Sequence, residues 1–509
     1  MIDSSNKTIA KNTLLLYFRM LLTMVISLYT SRVILQILGV EDFGIYQTVG
    51  GVVGMLSFVN GALATGTSRF LTYELGTGDL LKLKKTFSTM LTAHVILAIG
   101  VFAISETIGL WFVCNKLVIP SERMGAALFA YHVSILTAMV QLTQVPYTAS
   151  IISHERMGVY AYMSIVEVTL KLLIVYLLAI GNWDKLVLYA TLLAFVTIGL
   201  AMYYRVYCKG HFEESHYTIL IDKSIIKEVL GYSGWNLLAN TSIALNNHGG
   251  VLLLNMFFSP GVVTARAVAN QVNMAANQFI SNFRTAANPQ IVKRYAAKDF
   301  NSSKNLLLSS TKYSYFLMLF LALPIALVAE QLLSLWLGQV PPYSAVFLQL
   351  TIVCSLFQVF DTSFYTALYA KGQIRENALI SPILGFISFP IVYILFKLGF
   401  SPVALAWVAV IRYALLGLVV KPVLVVQIVH YSWRDICSVF FSCLKVTLTS
   451  LPLPLFVNYI VKAQQIPVWV EIIVITVVCI LSVGICSWYF GLTSEIRFKL
   501  IALLYKKLR

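Results

Sequence analysis

Long apolar runs separated by short polar turns dominate this chain. Fourteen stretches read as membrane-crossing helices, at about residues 13–38, 44–66, 86–113, 124–146, 158–180, 185–207, 229–258, 262–289, 305–333, 343–370, 377–397, 402–428, 437–461 and 468–490. Each reaches or exceeds the ~20 residues a helix needs to cross hydrocarbon. The seventh and eighth are divided only by Ser259-Pro260-Gly261, a turn signal by composition. The pattern predicts an all-α polytopic membrane protein with 14 transmembrane helices.

Composition agrees. Of 509 residues, 59% are hydrophobic and 11% charged, against ~25% charged in a soluble domain. The formal charge of +16 would suggest nucleic acid in a soluble protein. Here the basic residues cluster in short turns between apolar runs, as the positive-inside rule predicts, and no aromatic-interleaved basic patch argues for nucleic acid. The polar N-terminus lacks a small-residue cleavage site, so the first apolar run is expected to be a permanent span rather than a signal peptide. Seven cysteines show no CxxC or His-flanked spacing, and most read as small hydrophobes. No metal or other cofactor is expected. No Walker A motif, nucleophile elbow or HExxH appears, so the chain is not expected to be an enzyme.

With both termini inside, the inner turns hold 24 Lys and Arg and the outer turns 5. This bias predicts cytoplasmic termini in a multi-pass protein. Lys421 counts among the inner-turn residues in that tally, as do Arg69 and Arg205.

The chain also repeats at an offset of about 218 residues. Tyr147-Thr148-Ala149 matches Tyr365-Thr366-Ala367, Thr67-Ser68-Arg69 parallels Asn288-Pro289-Gln290, and Gly44 and Gly261 open spans 2 and 8. Six spans per repeat is even, so the halves share one orientation, as in parallel-repeat transporters. The expected division is 1–222, 223–432 and an appended pair of spans at 433–509.

Charged residues inside spans are costly and mark function by default. Eight are basic (Arg19, Arg32, Lys171, Arg266, Arg284, Lys312, Arg412, Lys445) and three acidic (Glu106, Glu167, Asp361). Lys312 and Lys445 lie near cytoplasmic ends and read as snorkelling. Glu167 and Lys171 share a helix face four residues apart and read as a self-neutralising pair. The candidates for a cationic binding cavity are Arg19, Arg32, Arg266, Arg284 and Arg412. Span 8 adds the amides Asn270, Gln271, Asn273, Asn277 and Gln278, which read either as cavity lining or as interhelical hydrogen bonds. Asp361 reads either as a coupling site for H⁺ or Na⁺ or as a salt bridge to Arg412. Glu167 and Lys171 join it as ion-coupling candidates. His94, His132 and His248 read as hydrogen-bonded packing residues, and Gly50-x-x-x-Gly54 as a close-packing motif.

Leu38-Gly39-Val40-Glu41-Asp42-Phe43-Gly44-Ile45-Tyr46 resembles the turn after the first span of polysaccharide-unit (O-antigen or capsule, Wzx-like) flippases. These belong to the multidrug/oligosaccharidyl-lipid/polysaccharide exporter superfamily. The Gly66–Phe70 stretch and both Tyr-Thr-Ala turns sit where that family has its signatures. The resemblance implies two six-helix lobes of the MATE/MurJ kind with a central cavity opening to one side at a time. It also implies a lipid-linked oligosaccharide on undecaprenyl diphosphate as substrate, flipped across the bacterial cytoplasmic membrane for polysaccharide (O-antigen, lipopolysaccharide) biosynthesis. It further implies spans 13 and 14 as a groove for the lipid tail, and membrane lipids and other polysaccharide-assembly membrane proteins as partners. Two rivals are a cation-coupled multidrug antiporter of the same superfamily and a membrane-embedded polysaccharide polymerase or glycosyltransferase.

The orientation is checked by fusions. A fluorescent protein joined after Arg509 is expected to fluoresce, and alkaline phosphatase inserted in the 117–122 turn to be active; the reverse pattern would invert the topology.

Overall fold

The computed structural model describes residues 2–373, 375–464 and 466–492, together with Arg497; the side chains of residues 2–19, 62, 65, 157, 160, 230–236, 285 and 286 lie outside the described residues. Helices account for nearly all of it. The first span and the start of the second form one kinked rod, α1 (Ile2–Gly54). Then come α2 (Ser57–Thr77), α3 (Leu80–Ile104) with α4 (Leu110–Lys116), α5 (Met124–Ser153), α6 (Met157–Leu178), α7 (Lys185–His211), and α8 (Lys223–Ala244) with α9 (Gly250–Phe257). The second half runs α10 (Pro260–Ala296), α11 (Phe300–Leu327) with α12 (Ala329–Leu337), α13 (Ser344–Lys371), α14 (Arg375–Lys397), and α15 (Ala404–Leu415) with α16 (Lys421–Leu424). The last spans are α17 (Trp433–Ser450) with α18 (Pro452–Ala463), and α19 (Val468–Cys486). Each apolar stretch read from the sequence thus falls in a helical rod.

Two boundaries differ from the reading. The expected turn at residues 39–43 is a kink inside α1, made by Gly39 at φ 80° and ψ 170°, a conformation open in practice to glycine alone. The second span breaks at Met55–Leu56 and continues as helix to Thr77, so the polar Gly66–Arg69 stretch is helical rather than a turn. A turn of π-helix interrupts several rods, at Ser105–Gly109, Leu245–Gly249, Leu416–Val420, Val425–Val429 and Ser487–Gly491.

The chain divides into two compact units. The first comprises residues 1–264 and 382–402, the second 265–381 and 403–509. In the first, Gly44 lies against the start of α10. A Cβ there would stand 2.0 Å from the Pro260 carbonyl oxygen, and beside it Thr264 donates to the Val40 carbonyl at 2.6 Å. The flippase-like turn therefore works as a kink plus a close approach. Gly54 of the small-residue motif meets the His248 ring in the same way, and His94 sits buried on the Met90 carbonyl at 2.8 Å.

Ion pairs sort the turns of the first unit onto two faces. Arg123 grips Asp42 through Nε and Nη2 at 2.8 and 2.6 Å and reaches Asp184 through Nη1 at 2.6 Å. It thereby fastens the turns after spans 1, 3 and 5. Lys85 pairs with Asp222 at 2.5 Å, Lys84 with Glu213 at 3.3 Å and His154 with Glu214 at 2.7 Å, joining the turns after spans 2, 4 and 6. Alternating parity predicts this grouping.

In the second unit the appended pair is built into the core. Val439, Cys443 and Val446 of α17 and Ile475, Cys479 and Val483 of α19 join Phe316, Leu319 and Leu323 of α11 in one buried cluster. Lys304 pairs with Asp435 at 2.9 Å, and Gln331 donates to Glu471 at 2.7 Å.

Asp184 generates a test. Hydrogen bonding to Arg123 holds its carboxyl below the ordinary range. A depressed folded-state value stabilises above ~pH 3.9 and loses that stabilisation as pH falls through the folded value. Arg123→Ala is expected to cost about 1–2 kcal/mol and to flatten this acid dependence, measured as unfolding midpoints in detergent between pH 3 and 7.

Candidate functional site

The deep charges of the second unit gather on α10, α13 and the rod that continues from α15 into α16. Two forces place them. Hydrocarbon penalises a lone charge, so each cation is driven toward an oxygen or an aromatic face. The amide-rich face of α10 supplies the complementary surface for α13.

Along that seam Arg266 donates to Thr351 at 2.5 Å and stands over the Phe347 ring at 5.9 Å. One turn further, Asn277 donates to Ser355 at 2.9 Å, and Ser355 donates in turn to Asn273 at 2.6 Å. Below, Arg284 donates to the Thr362 carbonyl and to Thr366 Oγ1, and Thr366 reaches Asn288. The amides Asn273 and Asn277 are therefore committed to interhelical hydrogen bonds, the plainer of the two roles open to them. The guanidinium groups are different. Each carries five donors, more than a single threonine hydroxyl can use.

Asp361 of α13 lies at the centre. Its ion-pair partner is Lys421, which the sequence placed in a turn. Lys421 Nζ stands 3.2 Å from Asp361 Oδ1, with side-chain exposures of 4% and 16%. The approach is an ion pair by distance although Oδ1 receives no aligned hydrogen bond. Lys421 also donates to Asn377 Oδ1, and to Ser381 Oγ at 3.2 Å, and it lies 5.4 Å from the Tyr365 ring. The ammonium is thus held by three oxygens and an aromatic face. Lys421 is no loop residue. It starts α16 between the π turns Leu416–Val420 and Val425–Val429, directly after the turn whose Gly417 lets the two rods touch. A Cβ at Gly417 would meet the Phe357 carbonyl oxygen at 2.5 Å.

Arg412 lies over its neighbour Tyr413 at 4.8 Å. It is within electrostatic reach of Arg266 and of Cys354 between them, while Arg284 is within reach of Asp361. The structure therefore places Arg284 and Lys421 beside Asp361, and Arg266 near Arg412 further along the same seam, four cations to one acid among the residues just named.

The other candidates belong to the first unit. Arg32 is half-buried on α1. Arg19 lies on the same helix, and its side chain is outside the described residues. Glu167 and Lys171 pair at 2.6 Å as their spacing predicts, and Glu106 is paired with His132 at 2.8 Å. Arg205, counted with the turns in the sequence, lies on α7 and donates to Thr143 at 2.6 Å beside the Tyr147 ring. Lys421, Asn377 and Ser381 were the residues that sequence reasoning missed. The signal for Lys421 was its position seven residues inside the end of an apolar run.

No family model matches the chain, and no curated protein does. Solved structures do match it. Over 97% of this chain and 100% of the other, it superposes on the lipid II flippase MurJ in an inward closed conformation with a TM-score of 0.70 at 10% identity. An inward-facing multidrug resistance MATE family transporter of the MOP superfamily gives 0.65 at 14% identity, over 79% of this chain and 95% of that one. A MOP superfamily transporter from Pyrococcus furiosus, described as having a binding pocket of reverse polarity, gives 0.56 at 15% identity over 80% and 93%. The chain is a polytopic all-α membrane protein with the fold of these transporters.

Removing one partner of a buried ion pair strands the other, at about 3–5 kcal/mol, whereas replacing both is far milder. Lys421→Met is therefore expected to lower the unfolding midpoint sharply in detergent, and Asp361→Asn combined with Lys421→Met to recover most of that loss. Strictly additive losses would show that the two side chains are not coupled.

Proposed function

We propose that the protein is a secondary transporter that flips a lipid-linked oligosaccharide across the bacterial cytoplasmic membrane by alternating access. The observation that carries this reading is the sign of the charge in the second unit. A carrier lipid diphosphate is an anion, and arginine suits it because the planar guanidinium meets phosphate oxygens bidentately and stays charged when buried. The seam carries Arg266, Arg284, Arg412 and Lys421 against one acid, Asp361, among the residues named above, and that balance favours an anionic cargo. Undecaprenyl diphosphate bearing a sugar unit is the substrate proposed, with polysaccharide assembly as the setting.

A cation-exporting multidrug antiporter shares the fold and is the principal rival. Organic cations call for acidic and aromatic surroundings, and the acid of this cluster already holds an ammonium. The same pair bears on ion coupling. For Asp361 to take up H⁺ or Na⁺, Lys421 must first move away, so coupling at Asp361 would be an exchange between a tethered cation and a mobile one. Glu167, already matched with Lys171, is the other coupling candidate.

Cells lacking the gene are expected to lose surface polysaccharide and accumulate the lipid-linked unit on the cytoplasmic side. Unchanged glycan with new drug sensitivity would move the assignment to the antiporter. In complementation, Arg266→Ala and Arg412→Ala are each expected to reduce flipping at least tenfold while the protein still inserts. Arg266→Lys, which keeps the charge but not the fork, is expected to rescue only in part. Full activity in both alanine variants would refute the cationic site.

A further inference from the structure

The first unit holds a half-open cavity of about 340 Å³ between α1, α5, α6 and α7, within the ~300–1,000 Å³ range of small-molecule sites. Its chemistry differs from that of the arginine cluster. Hydroxyls and one amide dominate the wall: Thr30, Ser31, Ser134, Thr137, Gln141 and Thr197. Ser134 donates to the Ala130 carbonyl, Thr137 to Ser134 and Thr197 to Leu193, at 2.7, 2.8 and 2.9 Å. Donating backwards to the helix commits each hydroxyl proton and leaves its oxygen free to accept.

Thr30 is the informative residue. It is 7% exposed and lines the cavity, yet its Oγ1 has no hydrogen-bond partner in the protein. A buried hydroxyl left so is costly and calls for an explanation. The half-buried ring of Tyr46 and the buried ring of Tyr189 meet edge to face at 4.9 Å on the same wall and offer an apolar aromatic surface. The charged residue of the lining is Lys171, neutralised by Glu167 at 2.6 Å.

We infer that this cavity is a carbohydrate subsite that takes a sugar residue of the cargo. A sugar ring presents many hydroxyl donors and an apolar C–H face. The cavity answers with committed hydroxyl oxygens as acceptors, the Gln141 amide and Thr30 hydroxyl as partners, and tyrosine rings for the C–H face. A lipophilic cation finds neither a net negative charge nor a mainly apolar wall here. The inference deepens the glycan-transport reading and rests on it.

Saturation-transfer difference NMR on the full-length protein in nanodiscs tests it, with glucose, N-acetylglucosamine and glucuronate as sugar probes and tetraphenylphosphonium as the lipophilic cation. Transfer to at least one sugar is expected, falling at least fivefold in Thr30→Val and in Gln141→Leu, two near-isosteric changes whose folding is checked by elution profile and melting. No transfer to any sugar, transfer unchanged in both folded variants, or transfer to tetraphenylphosphonium that either variant abolishes would overturn the subsite. Complementation separates this failure from that of the wider reading. If the gene is needed for glycan display and both variants restore it fully, the subsite falls and flipping stands. If its loss leaves glycan display untouched, flipping falls with it.

Discussion

One carboxylate governs the second unit. Hydrocarbon penalises unpaired charge heavily, and Lys421 and Arg284 sit side by side in need of an anion. Asp361 supplies that anion. Its pairing with Lys421 at 3.2 Å fixes the approach of the α15–α16 rod to α13, and the Gly417 contact with the Phe357 carbonyl follows from that closeness. Asn377 and Ser381 complete the shell around the ammonium from α14. Three rods are thereby registered through one ion pair.

The architecture was readable because a bilayer enforces it. Among the described residues eleven helices are long and apolar enough to cross a membrane, and alternating parity foretold which turns meet on each face of the first unit. The Glu167–Lys171 pair was readable because helix geometry places residues four apart side by side. The Asp361 partner was not. Nine residues separate Arg412 from Lys421, and linear counting assigned the lysine to a turn. Only three-dimensional packing, with a π turn on either side, shows that it faces inward. Partner choice across helices depends on rotation and register, which hydropathy does not encode. The same holds for Arg123, an unremarked loop residue in the sequence that fastens three turns in the structure.

Span 8 shows how one polar pattern can serve two purposes. The sequence leaves its amides open as cavity lining or as glue between helices and offers its arginines as cavity lining. Asn273 and Asn277 spend their capacity on Ser355, so they act as glue. Arg266 and Arg284 reach the same helix through Thr351, Thr362 and Thr366, yet retain a charge that no hydroxyl can neutralise. Amides are satisfied by neutral partners and guanidinium groups are not, which is why the residue type separates the two roles where position does not.

The Gly39 kink carries a consequence for anyone handling this protein. It reverses nothing and spans nothing; the helix changes direction within one residue and is gripped at once by Pro260, Thr264 and Arg123. There is no slack in the chain at this point. An epitope tag or cleavage site placed between spans 1 and 2, the customary choice for a short loop, would have to prise apart three contacts to be accommodated.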